Sequence, residues 1–249
     1  MTRSLALTLN ALGLYAVALV LVIAFAAQLL LNELPCPLCL LQRIQFAMLA
    51  VGPILNLRFG PRPSHYAVSL FTAIAGAAFA ARQILLHIMP GDLGYGSALL
   101  GYHYYSWAFI GFAVAIIALA AMLLFDGQFR DDGKPQPPGA FARAAVWLVI
   151  ALTALNVVST LLECGFDACP DNPIAYELLK RAPLGGRSLP PDYLRTTGLK
   201  PQFSSGIVSS VSLVSTTNTA RSLAGFVLLA LALTPWRSPG SSEKLSPAL

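Results

Sequence analysis

The stretch from Leu5 to Leu31 holds no charged residue. A helix needs about 20 mostly apolar residues to cross the hydrocarbon core of a bilayer. This one segment therefore puts the chain in a membrane before anything else is read. The balance of the sequence agrees: 11% of the 249 residues are charged, against roughly 25% in an ordinary soluble domain. A soluble enzyme is excluded for want of polar surface, and a disordered chain for its excess of apolar residues. The formal net charge of +5 fits Lys and Arg anchoring membrane loops better than a nucleic-acid surface.

Hydropathy predicts further spans over Tyr104–Phe125 and Ala144–Leu162, and another over Tyr66–Ile88, where Arg82, Gln83 and His87 interrupt near the end. Ile44–Leu57 is short but reaches spanning length when extended back to Cys39. Ser215–Trp236 supplies a sixth helix, with Arg221 near one end. Ala24-Phe25-Ala26 has the small-residue spacing of a signal cleavage site, yet the apolar run before it is too long for a signal core. Either way, the loop that follows lies outside the cytoplasm.

Orientation follows from Lys and Arg in the short loops. Arg3, Arg58, Arg62, Arg130, Lys134, Arg143, Arg237 and Lys244 fall on one side, and the opposite short loops hold only Arg43, at a helix end. Both termini are expected in the cytoplasm. The long loop from Glu163 to about Ser215 carries Lys180, Arg181, Arg187, Arg195 and Lys200, but long loops follow the charge rule poorly. Residues 126–143, with Gly133-Lys134-Pro135-Gln136-Pro137-Pro138-Gly139, read as a cytoplasmic linker. Pro183–Pro201 reads as irregular loop, and Ile207–Val214 fits a short interfacial helix or a strand equally.

This topology gives the four cysteines a meaning. Cys36 and Cys39 follow the first helix, and Cys164 and Cys169 follow the fifth. Two close pairs thus share the outer side, where disulfides persist. Around Cys36-Pro37-Leu38-Cys39, Pro35 and Pro37 are expected to prevent helix before the motif, with Leu40 onward continuing as the second helix and Cys39 close to its first turn. A Cys-x-x-Cys pair at a helix start forms a readily exchanged disulfide, and the helix N-terminus favours the thiolate. Arg43, one turn on, puts a cation on the same face; a structural disulfide and an interfacial anchor are the plain alternatives. In the second pair, Gly165 permits a small ring, and Pro170 biases Cys169 toward extended backbone. Cys164 should stay near the membrane surface, with Cys169 further out and better placed to enter another protein's groove; a structural staple is the competing reading. A four-cysteine zinc site is disfavoured by the unequal spacings and by the oxidising side.

Leu34-Pro35-Cys36-Pro37-Leu38-Cys39-Leu40-Leu41-Gln42-Arg43 after a first membrane helix resembles disulfide bond formation protein B, the DsbB family of inner-membrane protein:quinone oxidoreductases. The resemblance covers roughly residues 5–125 and implies a four-helix bundle. To it the sequence adds the linker and a C-terminal part, residues 144–249, with two further membrane helices. The fold class is therefore an all-α membrane protein, a DsbB-like bundle plus two helices. The resemblance implies that Cys36 and Cys39 exchange electrons with ubiquinone or menaquinone and that Arg43 supports its binding. Gln42, His87 and His103 are further candidate contacts, and a periplasmic thioredoxin-fold protein of DsbA type is the implied partner. Family members carry their second pair between helices 3 and 4, but here residues 89–106 contain no cysteine. Cys164 and Cys169 are read as that pair relocated. The turn-rich Gly91–Gly96 and the aromatic run Tyr102–Trp107 fit either an interfacial belt or a lid over the quinone, with His87 or His103 supplying protons. Competing readings are a vitamin K epoxide reductase-like enzyme, whose Cys-x-x-Cys lies late in its bundle, and a non-enzymatic protein with structural disulfides.

Overall fold

Thr2 accepts the N–H of Leu5 through its Oγ1 at 3.3 Å and so caps the first helix, α1, Arg3–Leu30. The computed structural model describes residues 1–130 and 138–181. After α1 come α2 (Pro37–Leu49), α3 (Val51–Phe59) and α4 (Pro63–Leu86). A two-residue hairpin follows, β1 (Ala98–Leu99) with β2 (Tyr102–His103), then α5 (Tyr104–Leu123). A short 3-10 turn, Asp126–Phe129, precedes α6 (Ala140–Cys164), and α7 (Glu177–Arg181) ends the described part. Among the described residues five helical segments are long and apolar enough to cross a membrane, with α2 and α3 together forming one of them. The expected sixth span, Ser215–Trp236, and the expected loops at 183–201 and 207–214 lie outside the described residues.

α4 packs against α2, α3 and α5, while α1 packs against α3 on one side and α6 on another. Small residues set the spacing. A Cβ at Gly76 of α4 would collide with the Phe112 ring of α5. That ring therefore lies on the α4 backbone, and its other face stacks on Phe46 with centroids 4.0 Å apart. Close approach of this kind replaces the hydrophobic effect as the driver of helix association in lipid. At the end of the bundle away from the cysteines, buried polar groups tie the elements. Asn10 Nδ2 donates to the Tyr66 hydroxyl at 2.8 Å, Asn56 Nδ2 to Asn10 Oδ1 at 2.9 Å, and the Tyr66 hydroxyl to Gln128 Oε1 at 2.8 Å.

The break between α2 and α3 follows from Pro53. Proline has no N–H, so the carbonyl of Leu49, four residues earlier, loses its helical donor. Ser69 of α4, fully buried, donates its hydroxyl to that carbonyl at 2.7 Å. Gly52 admits α4 at this point, because a Cβ there would strike the His65 carbonyl and Ser69 Oγ. Ser69→Ala should therefore cost about 1 kcal/mol in an unfolding titration in detergent. Pro53→Ala, which restores the missing donor, should reduce that cost; an equal cost in both backgrounds would separate the serine from the break.

Three expectations about boundaries are corrected. No helix precedes the motif, as expected, but α2 opens at Pro37 rather than Leu40; proline takes the first helical position, where its missing N–H would be unbonded anyway and its fixed φ suits the helix. α6 begins at Ala140 rather than Ala144. It also runs on to Cys164, so that cysteine is helical and buried rather than part of the following loop. α4 ends at Leu86, leaving His87 just past the helix.

Candidate functional site

With Pro37 opening α2, Cys36 becomes the cap. Its backbone is extended, φ −66° and ψ 163°, and its Sγ accepts the N–H of Cys39 at 3.2 Å. Both sulfurs face α4, where the buried Gln83 donates Nε2 to Cys36 Sγ at 3.2 Å and to Cys39 Sγ at 3.4 Å. Gln42, one turn into α2, donates to Gln83 Oε1 at 2.8 Å and fixes which way that amide points. The Cys36 thiol is pushed up by its hydrogen bond with the Cys39 side chain and by burial, against the smaller pull of the Cys39 N–H and of Gln83. Two thiols this close share one negative charge rather than carry two.

Arg43 is held against α1. Its Nη1 donates to Gln28 Oε1 at 2.7 Å and its Nη2 to the Ala24 carbonyl at 2.8 Å, and its guanidinium sits 5.6 Å from the Phe25 ring centroid. Arg43, Cys39 and Gln42 line a cavity of about 450 Å³ between α1, α2 and α5. Apart from Glu33 at the rim beside the hairpin, its other walls are apolar or aromatic, among them Phe46, Tyr104, Tyr105 and Trp107. Leu99 and Leu100 of the hairpin also line it. This cover is latched beside Cys36: the Tyr95 hydroxyl donates to the Leu34 carbonyl at 2.6 Å, and Ser97 donates through N–H and hydroxyl to the Glu33 carboxylate. Burial pushes the Tyr95 phenol above its ordinary range, the neighbouring sulfurs adding to the shift, so it remains a neutral donor.

His87 and His103 are not among the residues lining the cavity. Each stacks on Tyr105, which is, with centroids 5.6 and 5.3 Å apart. His87 Nδ1 lies 3.2 Å from Asp92, whose carboxyl is held low by the Gly94 N–H and by His87. His103 Nδ1 lies 3.1 Å from the Gly96 carbonyl. Arg82 is exposed on the outside of α4.

Cys164 and Cys169 form a disulfide with Cα atoms 4.6 Å apart. Cys164 is buried and Cys169 partly exposed. Both pairs lie at one end of the bundle: Gln28, which holds Arg43, also donates to Ser159 of α6 at 2.8 Å and to the Tyr176 hydroxyl at 3.2 Å. Sequence reasoning missed Gln83, Gln28 and Tyr95. For the first two the signal was present, since an amide inside an apolar span needs a partner from another helix.

Comparison with known proteins falls on this same segment. The family described as Disulfide bond formation protein DsbB matches residues 6–95. "Disulfide bond formation protein B" of Xanthomonas axonopodis pv. citri is 40% identical over 87 residues, covering 33% of this chain and 51% of that protein. "Disulfide bond formation protein B 2" of Burkholderia lata is 41% identical over 91 residues, covering 36% and 54%. The chain spans about half the length of these curated relatives. No solved structure matches. Over residues 6–95, the stretch that builds the site with Cys36, Cys39, Gln42, Arg43 and Gln83, this helical membrane protein resembles the DsbB family.

Proposed function

We propose that the protein is a thiol–disulfide oxidoreductase of the bacterial inner membrane that reoxidises a periplasmic DsbA-like protein and delivers the electrons to quinone. The observation that carries this reading is the opening of Cys39 and Arg43 into one apolar, aromatic-walled cavity at a helix end. A flat, mostly apolar ring with polar oxygens suits such walls. Arg43 and Gln42 would hold its polar edge, and Phe46, Tyr104 and Trp107 its faces. A quinone, ubiquinone or menaquinone, supplies a two-electron, two-proton acceptor when bound.

The protein's own steps are exchanges. A thiolate of the reduced partner attacks one sulfur of Cys164–Cys169, forming a mixed disulfide and expelling the other sulfur as thiolate. The partner's second thiol then attacks that mixed disulfide. The partner leaves oxidised, and Cys164 and Cys169 are left as a dithiol with the two electrons. The same pair of attacks on a Cys36–Cys39 disulfide moves the electrons to the first pair. Gln83 donates to both of its sulfurs and favours the leaving thiolate, and Arg43 places positive charge where negative charge must develop. Both pairs face the periplasm in this reading, and both termini the cytoplasm. His87 and His103 would act through Tyr105 rather than by touching the ring.

The test is quinone absorbance, followed as a reduced thioredoxin-fold protein is added to the purified chain. Catalytic loss of absorbance supports the reading; reduction of the disulfides with no quinone turnover leaves them structural and overturns it. In the same assay Arg43→Ala should raise the KM for quinone about ten- to a hundred-fold, the scale of a lost charged hydrogen bond. Exchange between the two pairs should survive. An unchanged KM would make Arg43 an interfacial anchor.

A further inference from the structure

The part of the chain beyond the family-matched segment does more than carry a second disulfide. Gln28 is 3% exposed on α1. Arg43 has only donors, so the oxygen of the Gln28 amide must face it. The amide nitrogen then faces away from Arg43 and meets two oxygens, Ser159 Oγ on α6 and the Tyr176 hydroxyl. Without those two acceptors Nε2 would sit unsatisfied at the α1 surface, in a setting where water cannot replace them. The amide would then be held only by its oxygen's bond to Arg43 and would be free to swing about its side-chain torsions, so the guanidinium would lose a fixed clasp.

We propose that Ser159 and Tyr176 are positioning residues for Arg43, acting through the Gln28 amide. This rests on the reading of the cavity as a quinone site. It gives the C-terminal part a role at the first redox pair, because it locks the cation that lines the cavity. The two contacts also flank the Cys164–Cys169 disulfide, with Ser159 five residues before it and Tyr176 seven after it. The segment that meets the partner and the segment that holds Arg43 are thus one.

The experiment uses the full chain in detergent and decylubiquinone as the probe. Binding is read from quenching of tryptophan fluorescence, since Trp107 lines the cavity, and turnover from quinone absorbance. Ser159→Ala/Tyr176→Phe should weaken binding and raise the quinone KM about five- to ten-fold, as expected for losing a buried hydrogen-bonded support. The kcat at saturating quinone should stay near wild type, and the thermal midpoint should fall by only a few degrees, as for one or two lost buried hydrogen bonds. Ser159→Thr, which keeps the hydroxyl, should bind as wild type does. Should the double variant not fold, Tyr176→Phe alone, which removes one oxygen, must still weaken binding. Wild-type affinity in the variants overturns the positioning role while leaving the quinone reading intact. A wild-type chain that neither binds nor reduces the quinone overturns both. A double variant whose loss of binding tracks a loss of stability, with Ser159→Thr equally impaired, reduces the contacts to packing and also overturns the positioning role.

Discussion

Replacing Cys36 and Cys39 together with Ser should lower quinone reduction by at least about a thousand-fold, because no other group at the cavity can exchange electrons as a thiol pair. The paired change at Cys164 and Cys169 should behave differently. It should abolish oxidation of a protein dithiol, yet leave quinone reduction running from a small dithiol that reaches Cys39 directly. The contrast assigns separate stations to the two pairs. It follows from their placement: Cys39 lines the cavity and Cys164 and Cys169 do not. Absorbance kinetics with the two double variants and two donors checks it. Equal losses with both donors would mean that the pairs act as one unit.

Cys164→Ser should trap the partner on Cys169. Cys164 is 3% exposed at the end of α6, whereas Cys169 is partly exposed in the segment that follows. A thiolate must approach a disulfide sulfur in line with the bond it breaks, so access selects Cys169 as the sulfur attacked and Cys164 as the one expelled. With Cys164 gone, Cys169 is a free thiol; a partner whose second cysteine is replaced by Ser and whose remaining cysteine carries a small-molecule disulfide exchanges with it, expelling the small thiol and leaving no neighbouring thiol to resolve the product. A non-reducing gel should show most of the chain in the mixed species. Cys169→Ser should show little, since the remaining Cys164 thiol is buried. Accumulation in Cys169→Ser instead would reverse the assignment.

How much of this could be read from residues alone depends on whether the cause was local. The membrane spans were readable because an apolar run long enough to cross lipid has few other fates. The Cys36/Cys39 pair and Arg43 were readable because their spacing is a single turn. The start of α2 was placed three residues late, at Leu40 rather than Pro37, since proline before a helix and proline opening one look alike until the backbone of Cys36 is seen. The α2–α3 break was hidden for a related reason. Pro53 removes a donor within its own helix, but the serine that replaces it comes from α4. Gln83 and Gln28 show the same limit at the site. Each is an amide in an apolar span, and nothing local says which helix supplies its partner. His87 and His103 drew attention as titratable groups near a helix end, yet both rings are spent on Tyr105.

In the proposed relay the Cys36/Cys39 dithiol is the immediate donor to quinone. A single-turnover measurement tests it most directly. The fully reduced Cys164→Ser/Cys169→Ser chain is mixed with an equivalent of quinone, and absorbance is followed while samples are quenched with an alkylating agent. Quinone should be consumed one for one with closure of the Cys36–Cys39 disulfide, on the same time course. Quinone that persists while Cys36 and Cys39 remain alkylatable would contradict it.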